Sequence, residues 1–349
     1  VDPEAGDQLF DVIGTYEGIA KAKTTSDRFD VGRNFCNKLW NAARFALMNL
    51  SAGGGPLEFR PLAPKELPPE DLWILSQLSK ASGAVTAALN AYNPSAGINT
   101  ARDFFWNELC DWYVELIKPR MKDEAQAPVA RQVLAAVLDQ VLRLLHPFVP
   151  FITEELWQHL GEVAPTRGIE VPFPPSALLA TARWPEWRPE WEDKQTEAEF
   201  EKMRAAVRGL RDLRQNYNVA RSAQVDARIK APAATAAVLE RLRAHLQSQA
   251  GLSSLEIAEQ VERPKNAATA VVEDMELFVA DVLDPVKEKA RLAKQKDGLD
   301  KQIGGVEKKL ENPKFLEKAD PKVVQAERDK LEDLRRQLAV VEQALNDLA

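Results

Sequence analysis

The chain has 349 residues, of which 45% are hydrophobic, and it carries a formal net charge of −7 from 46 basic and 53 acidic side chains. At roughly 150 residues per domain the length predicts two to three domains, and the negative charge excludes a protein that holds nucleic acid through bulk positive charge. Two cysteines cannot build a disulfide framework, and the sequence has neither a signal peptide nor a stretch near about 18 apolar residues, so we expect a soluble cytoplasmic protein.

The first predicted element is a helix over Val31–Leu50. Residues 1–30, with Gly6, Gly14 and Gly18 and no convincing apolar period, are predicted to be a leader or linker. The helix is indicated by apolar side chains at three- and four-residue steps, and the sequence SAGGGP that follows is a stop signal. The apolar positions are Phe35, Leu39, Ala42, Ala46 and Leu50.

Four more helices are predicted after a proline-rich stretch. They cover Asp71–Tyr92, Thr100–Met121, Val129–Leu145 and Pro150–Leu160. Together with the first helix they predict a helical bundle over 31–190. A segment rich in proline, glycine and tryptophan closes it, and we expect its tryptophans to fix this segment to the bundle.

A small α+β module is predicted over 191–284. Helical patterns cover Thr196–Gln215 and Ala233–Ala250, and the alternating run Gln224–Lys230 has the two-residue period of a half-buried strand. Two further strands are predicted, over Ser254–Ala258 and Ala270–Val279.

The last segment, 285–349, has the heptad spacing of a coiled coil. Asn312-Pro313 and Asp320-Pro321 interrupt the pattern, so we expect an antiparallel hairpin with arms of roughly 35–40 Å. Its apolar positions are Leu292, Leu299, Ile303, Val306, Leu310, Val324, Leu331, Leu334, Leu338, Val341, Leu345 and Leu348. The predicted fold class is therefore mainly α, with a helical bundle, a small α+β module and a coiled-coil hairpin.

The residue patterns contain no candidate for catalysis. His146, His159 and His245 are isolated and the cysteines lie far apart, so no metal site is predicted. The sequence has no Walker lysine loop, no GxGxxG after a strand and no GxSxG elbow. We expect this chain to hold no catalytic residue, no metal and no cofactor.

A polar stripe runs along the first helix. On a helical wheel Asn34, Lys38, Asn41 and Phe45 fall within about 60° of one another. Amides and a lysine reach base edges and phosphates, and a ring on the same face can stack on an unpaired base. The alternative is that Phe45 packs inward and that the polar stripe is merely solvated.

The C-terminal hairpin is locally basic. Residues 287–318 contain 10 basic and 6 acidic side chains, a net charge of +4, with lysines near the predicted tip at Lys308, Lys309, Lys314 and Lys318. A projecting basic arm fits phosphate contacts on a structured RNA. An ordinary solvated coiled-coil face explains the same charges equally well.

The stretch RNFCNKLWNAARF (33–45) closely resembles the helix that opens the anticodon-binding domain of valyl-tRNA synthetases. Three more blocks are similar in the family's order: 104–121, 144–160 and the arm sequence at 306–331. The block LLHPFVPFITEELWQHL is shared loosely with the isoleucine and leucine enzymes, whereas the arm is characteristic of the valine enzymes. The resemblance covers about residues 28–349.

The resemblance implies the tRNA-recognition half of a class I enzyme that attaches valine to tRNA(Val) with ATP. The family's HIGH and KMSKS elements have no counterpart here, so the chain alone is expected to be inactive, with ATP and magnesium bound only at the catalytic domain. The expected partners are tRNA(Val) and the N-terminal catalytic and editing half, in cis or as a separate chain. We expect a monomer.

The resemblance also implies roles for single residues. Phe45 corresponds to a ring that stacks on an anticodon base, and Arg28 to an arginine at the anticodon loop. Lys118 and Arg120 are candidates for phosphate contacts, or compensate a helix dipole. The predicted anticodon-loop set is Arg28, Asn34, Lys38, Asn41, Phe45, Lys118 and Arg120. The predicted arm set is Lys308, Lys309, Lys314 and Lys330, with Lys308 or Lys309 substituting for a basic contact where Gly305 stands. Core positions are expected for Trp40, Trp106, Trp112 and Trp157.

A second function remains open at this stage. The chain would then be a coiled-coil module that binds partner proteins and no RNA. This hypothesis requires exposed apolar heptads and concentration-dependent association.

Overall fold

The computed structural model describes the chain from residue 10 to residue 347, apart from 17–18, 25–26, 53, 265, 283–284 and 313–320. The chain divides into two compact units, Val1–Phe200 (unit 1) and Glu201–Ala349 (unit 2). None of the helices in the described ranges combines the length and the apolar character that crossing a bilayer requires.

Unit 1 contains an antiparallel strand pair near the start of the chain. β1 (Phe10–Tyr16) pairs with β2 (Ile19–Thr24), with an irregular register between Val12 and Gly14. The prediction of a loop or leader over 1–30 is therefore wrong for these two segments. Main-chain hydrogen bonds hold a strand pair without an alternating apolar pattern, and a strand glycine often marks a bulge.

The rest of unit 1 is a helical bundle, as predicted. Most of its helices have proline in the first turn, where the missing N–H costs no helical hydrogen bond. The α-helices are α1 (Asp27–Ser51), α2 (Pro69–Asn90), α3 (Pro94–Asp103), α4 (Val114–Leu116), α5 (Lys118–Met121), α6 (Ala127–Leu145) and α7 (Pro150–Val163).

The helix predicted over Thr100–Met121 forms with one break, at Ile117, but it is not α-helical throughout. Phe104–Tyr113 is π-helical and lies between α3 and α4. In a π-helix the hydrogen bonds run from i to i+5 and the turn is wider, so residues five apart come closer to one line than in an α-helix. Trp106 and Asp111 are such a pair.

The core of unit 1 surrounds α6, which is buried along almost its whole length. α2 contributes Trp73, which stacks on Phe200 at 5.2 Å between ring centroids. α1 buries Phe35, Leu39, Ala46 and Leu50 as the periodicity predicts, and Phe35 meets Phe105 edge to face at 5.8 Å. This packing turns the opposite, polar face of α1 toward solvent.

Tryptophans fix the segment that closes the bundle, as expected from the sequence. Trp184 donates a hydrogen bond of 2.8 Å from Nε1 to Oγ1 of Thr86, and Trp191 is buried. Trp157 is also buried, and the guanidinium groups of Arg143 and Arg167 lie 4.8 and 4.2 Å from its ring centroid.

Unit 2 contains a four-stranded mixed sheet in the order β4-β3-β6-β5. α8 (Lys194–Asn216) begins in unit 1 and ends in unit 2; β3 (Val225–Lys230) then runs parallel to β4 (Leu252–Ala258) and antiparallel to β6 (Met275–Val279). The crossover from β3 to β4 contains α9 (Ala233–Arg241) and α10 (Arg243–Ala250).

Two predictions for this module were wrong in detail. The single helix over Ala233–Ala250 is interrupted at Leu242, and the single strand over Ala270–Val279 is two antiparallel strands, β5 (Ala268–Val272) and β6. The chain reverses at Glu273, whose φ of 53° is left-handed. A two-residue turn between paired strands needs such a conformation, and no glycine is present here to announce it.

The coiled-coil hairpin is confirmed. α11 (Pro285–Leu310) packs on α12 (Pro321–Asp347) through the heptad positions Leu292, Leu299, Ile303, Val306, Leu334 and Val341. Lys296 pairs with Glu342 at 2.6 Å and Arg335 with Glu307 at 2.7 Å across the two helices. The apolar seam is therefore used within the chain.

The two cysteines differ in their surroundings. Cys110 is buried on the π-helical segment, and burial raises the pKa of its thiol to about 12. Cys36, on α1, is half-buried. Both are free thiols.

Candidate nucleic-acid interface

The polar stripe predicted on α1 lies at the surface. Asn34 and Asn41 are exposed, and Lys38 and Phe45 are partly exposed. The steps of four, three and four residues place all four side chains on one helical face. Phe45 does not pack fully inward, so its ring remains accessible for stacking.

Lys38 is held between a ring and a carboxylate of the π-helical segment. Its Nζ lies 2.9 Å from Oδ1 of Asp111 and 4.4 Å from the ring centroid of Trp106. Trp106 is partly exposed, so its predicted core position is wrong. We call Lys38, Trp106 and Asp111 the first triad.

Lys118 has the same kind of surroundings. Its Nζ lies 2.6 Å from Oε1 of Glu115 and 5.6 Å from the ring centroid of Phe45. The side chains of Lys118 and Glu115 are 45% and 42% exposed, so solvent or a ligand reaches both. We call Lys118, Phe45 and Glu115 the second triad.

The other three tryptophans of the predicted core differ in burial. Trp112 and Trp157 are buried, as predicted. Trp40 is 40% exposed and meets His159 edge to face at 6.4 Å between ring centroids, so its predicted core position is wrong. The side of α1 that carries Trp40 is thus only partly covered by α7.

Arg120 has to be removed from the predicted anticodon-loop set. Its side chain is 8% exposed and donates hydrogen bonds of 2.8 Å to Glu70 and 2.9 Å to Asp71. Burial raises the pKa of the Asp71 carboxyl to about 6. The sequence shows that Arg120 is charged, but it does not show that two carboxylates of α2 enclose the side chain. A guanidinium enclosed in this way is unavailable to a phosphate.

Two predicted residues cannot be placed. The backbone of Arg28 belongs to α1, but its side chain lies outside the described part of the structure, as does all of Lys314. Their roles remain predictions.

The arm presents the other predicted lysines on its outer faces. Lys308 and Lys330 are exposed, and Lys309 forms an ion pair with Glu327 of α12. Gly305 is exposed with open space around its Cα. These lysines lie close to the end of the hairpin, where an extended ligand could contact α11 and α12 together.

Asp111 and Glu115 are candidate site residues that were not predicted from the sequence. Both belong to the block at 104–121, four positions apart, and each binds a lysine of the predicted set. Rings, ammonium groups and carboxylates on one surface can stack bases, neutralise phosphates and accept hydrogen bonds. Across the described ranges no group of three or more metal-ligating side chains comes together.

Two family models match the chain. One, described as the anticodon-binding domain of tRNA ligase, matches residues 71–229, and the other, described as the valyl tRNA synthetase tRNA binding arm, matches residues 284–349. The first covers most of the bundle and continues into β3, and the second coincides with the coiled-coil hairpin.

Valine-tRNA ligases are similar over almost the whole chain. The protein of Rhodopirellula baltica is 36% identical over 94% of the chain and 32% of its own length. That of Geobacter sulfurreducens is 39% identical over 91% and 35%, and that of Thermotoga maritima 38% identical over 92% and 34%. The chain thus spans about a third of the length of these curated relatives, and it matches their C-terminal part.

Proposed function

The chain belongs to the valine-tRNA ligase family, and on that premise we propose that it is the part that recognises tRNA(Val). The helical bundle binds the anticodon loop and the coiled-coil arm binds the elbow, where the D and T loops meet. Attachment of valine to tRNA(Val) with ATP is proposed for the whole protein. In this proposal ATP and magnesium are used by the catalytic domain.

The observation that carries the proposal is the partly exposed ring of Phe45 with Lys118 beside it. A sequence-specific protein recognises a single-stranded RNA loop by stacking its bases and bonding their edges. Phe45 offers the stacking surface, while Lys38 and Lys118 neutralise phosphates without a large basic patch. A chain with a net charge of −7 needs such local contacts.

The structure of the coiled-coil arm supports the proposed contact with the tRNA elbow. Its described heptad positions pack α11 against α12, which leaves charged outer faces for a partner. Exposed Lys308 and Lys330 suit the phosphates of an RNA fold because a lysine binds phosphate as a point charge. A coiled-coil protein partner would need an apolar seam that the described part of the hairpin already covers.

The proposal also covers the catalytic half, the location of the protein and its oligomeric state. We propose that the catalytic and editing half acts on the same tRNA, in cis or as a separate chain, and that the protein is a cytoplasmic monomer. Valine-dependent pyrophosphate exchange tests whether catalysis requires the other half. We expect no exchange from the chain alone, and exchange by the pure chain would contradict this part of the proposal.

Binding of tRNA transcripts tests the recognition proposal. We expect a transcript with a valine anticodon to bind more tightly than one with a swapped anticodon. Phe45→Ala should weaken binding of the first by about 5- to 150-fold, because stacking contributes about 1–3 kcal/mol per base. Tyr92→Ala is the matched control, since Tyr92 is 95% exposed and belongs to no predicted site. Equal binding in every combination would refute the proposal.

The arm is tested by salt dependence. Lys330→Ala should weaken binding of all tRNA transcripts to the same extent and reduce the slope of log K against log salt by about 1. A change in anticodon preference, or no change in the slope, would contradict a phosphate contact at the elbow.

A further inference from the structure

We propose that Asp111 and Glu115 determine specificity by accepting hydrogen bonds from exocyclic amino groups of the bases at the first and second triads. This inference rests on the proposed function, because it requires that the anticodon loop binds at α1. It assigns the choice of base to two carboxylates that ion-pair with the lysines in the free protein.

The two triads repeat one arrangement. In each, a lysine contacts an aromatic ring and a carboxylate, with Nζ to oxygen distances of 2.9 Å for Lys38–Asp111 and 2.6 Å for Lys118–Glu115. Along α1 the two triads are marked by Lys38 and Phe45, seven residues apart, which corresponds to about 10.5 Å at 1.5 Å per residue. Each triad therefore has its own partly exposed ring, its own cation and its own acceptor.

The carboxylates remain accessible in both triads. The side chain of Asp111 is 47% exposed and that of Glu115 is 42% exposed. A lysine ammonium has three N–H donors, so it can keep its carboxylate in place and still donate to a phosphate. Each lysine thus positions the acceptor, and because a carboxylate has about four lone-pair sites it can accept further hydrogen bonds.

An ionised carboxylate only accepts hydrogen bonds. Cytosine presents the N4 amino group and adenine the N6 amino group, whereas uracil presents the O4 oxygen in the same place. A carboxylate facing that position binds the amino group and repels the oxygen. Guanine also has N–H donors on its Watson–Crick edge, so the amino group is best tested by removing it from adenine rather than by exchanging the base.

The chemistry of the proposed RNA agrees with this arrangement. Valine codons begin with guanine and uracil, so the two anticodon bases that pair with them are cytosine and adenine. Both carry an exocyclic amino group. The number of triads equals the number of bases that every valine anticodon shares.

The test compares atom-level changes in the anticodon with isosteric changes in the protein. The full chain is titrated with tRNA(Val) transcripts in which the shared cytosine is replaced by uracil, or the shared adenine by purine, which lacks the amino group. The variants are Asp111→Asn and Glu115→Gln, because an amide of the same shape can donate as well as accept. Asp103→Asn is the control, since Asp103 is an exposed carboxylate that pairs with Arg102 outside the triads.

We expect the unmodified chain and the Asp103→Asn variant to prefer each amino-bearing base by about tenfold or more. In Asp111→Asn and Glu115→Gln the preference at one base each should fall toward unity. Circular dichroism shows whether the variants remain folded, and both carboxylates are exposed enough for this to be expected.

Two results overturn the inference, and they differ from failure of the proposed function. If the variants keep the full preference, the carboxylates only neutralise the lysines. If both preferences are lost equally in either variant, the triads do not read separate bases. An unmodified chain that binds all anticodons alike refutes the proposed function itself, whatever the variants do.

Discussion

Arg120 donates a hydrogen bond of 2.9 Å to Asp71 in the interior of unit 1, where the two side chains are 8% and 0% exposed. Glu70 accepts a second hydrogen bond from the same guanidinium, and Tyr113 donates one of 2.8 Å to Asp71. The cluster ties the start of α2 to α5 and to the end of the π-helical segment. Two buried carboxylates share one cation here, so we expect removal of the cation to lower the stability of the fold.

Arg120→Ala should lower the free energy of unfolding of unit 1 by about 3–5 kcal/mol, because it leaves two carboxylates buried without a cation. Tryptophan fluorescence during urea unfolding measures this, since all eight tryptophans lie in unit 1. Lys118→Ala is the control and should change stability by less than about 0.5 kcal/mol. A stable Arg120→Ala variant with weakened tRNA binding would restore the phosphate contact predicted from the sequence.

The buried Asp71 predicts a pH dependence of stability. Burial raises its pKa from 3.8 to about 6 in the folded state, so the folded protein binds a proton more tightly than the unfolded chain does. The contribution is stabilising at low pH and is lost as the pH rises from about 4 to 6. The stability of the unmodified chain relative to Asp71→Asn should therefore fall by up to about 3 kcal/mol between pH 4 and pH 7. A relative stability that rises with pH would show that attraction to Arg120 outweighs burial.

Gly251 and Gly305 should respond in opposite directions to alanine. Gly251 has a left-handed φ of 66°, and a Cβ there would lie 2.3 Å from Nη1 of Arg214, which bonds the carbonyl groups of Ala250 and Gly251. Gly251→Ala should destabilise unit 2 by about 1 kcal/mol or more. Gly305 lies inside α11 with open space around it, so Gly305→Ala should stabilise the arm by about 0.5–1 kcal/mol. Thermal unfolding followed by far-ultraviolet circular dichroism measures both, and equal shifts would contradict the prediction.

The arm should lose local stability when a buried leucine between α11 and α12 is replaced by alanine. Leu334 is 6% exposed at the seam, and Leu334→Ala should cost about 2 kcal/mol or more, whereas Val323→Ala, at a 47% exposed position, should cost little. Amide hydrogen exchange of α11 and α12 reports this opening directly. Protection that rises with protein concentration would instead indicate association between chains.

Periodic features of this protein were predictable from its sequence. The buried side of α1 and the heptads of the arm follow from spacing alone, because each helix repeats one pattern over several turns. The glycine signal at Gly14 was misread, because a bulge within a strand and a loop use the same residue.

The functional details depend on contacts between distant positions. Lys38 meets Asp111 across 73 positions of the chain, and Trp106 of the same π-helical segment contacts this lysine as well. Arg120 was wrongly predicted to lie at the surface, because a sequence shows that a residue is charged but not whether its side chain is buried. The amphipathic pattern within one helix could be predicted from the sequence, but the side chains of other elements that contact it could not.

The contrast between the two cysteines makes the native chain suitable for direct fluorescent labelling. A maleimide dye reacts with a thiolate, and the buried Cys110, with a pKa of about 12, presents almost none at neutral pH. Cys36 is the more accessible thiol and lies on α1, two residues before Lys38. A dye attached there would report arrival of an RNA at this helix without any engineered substitution.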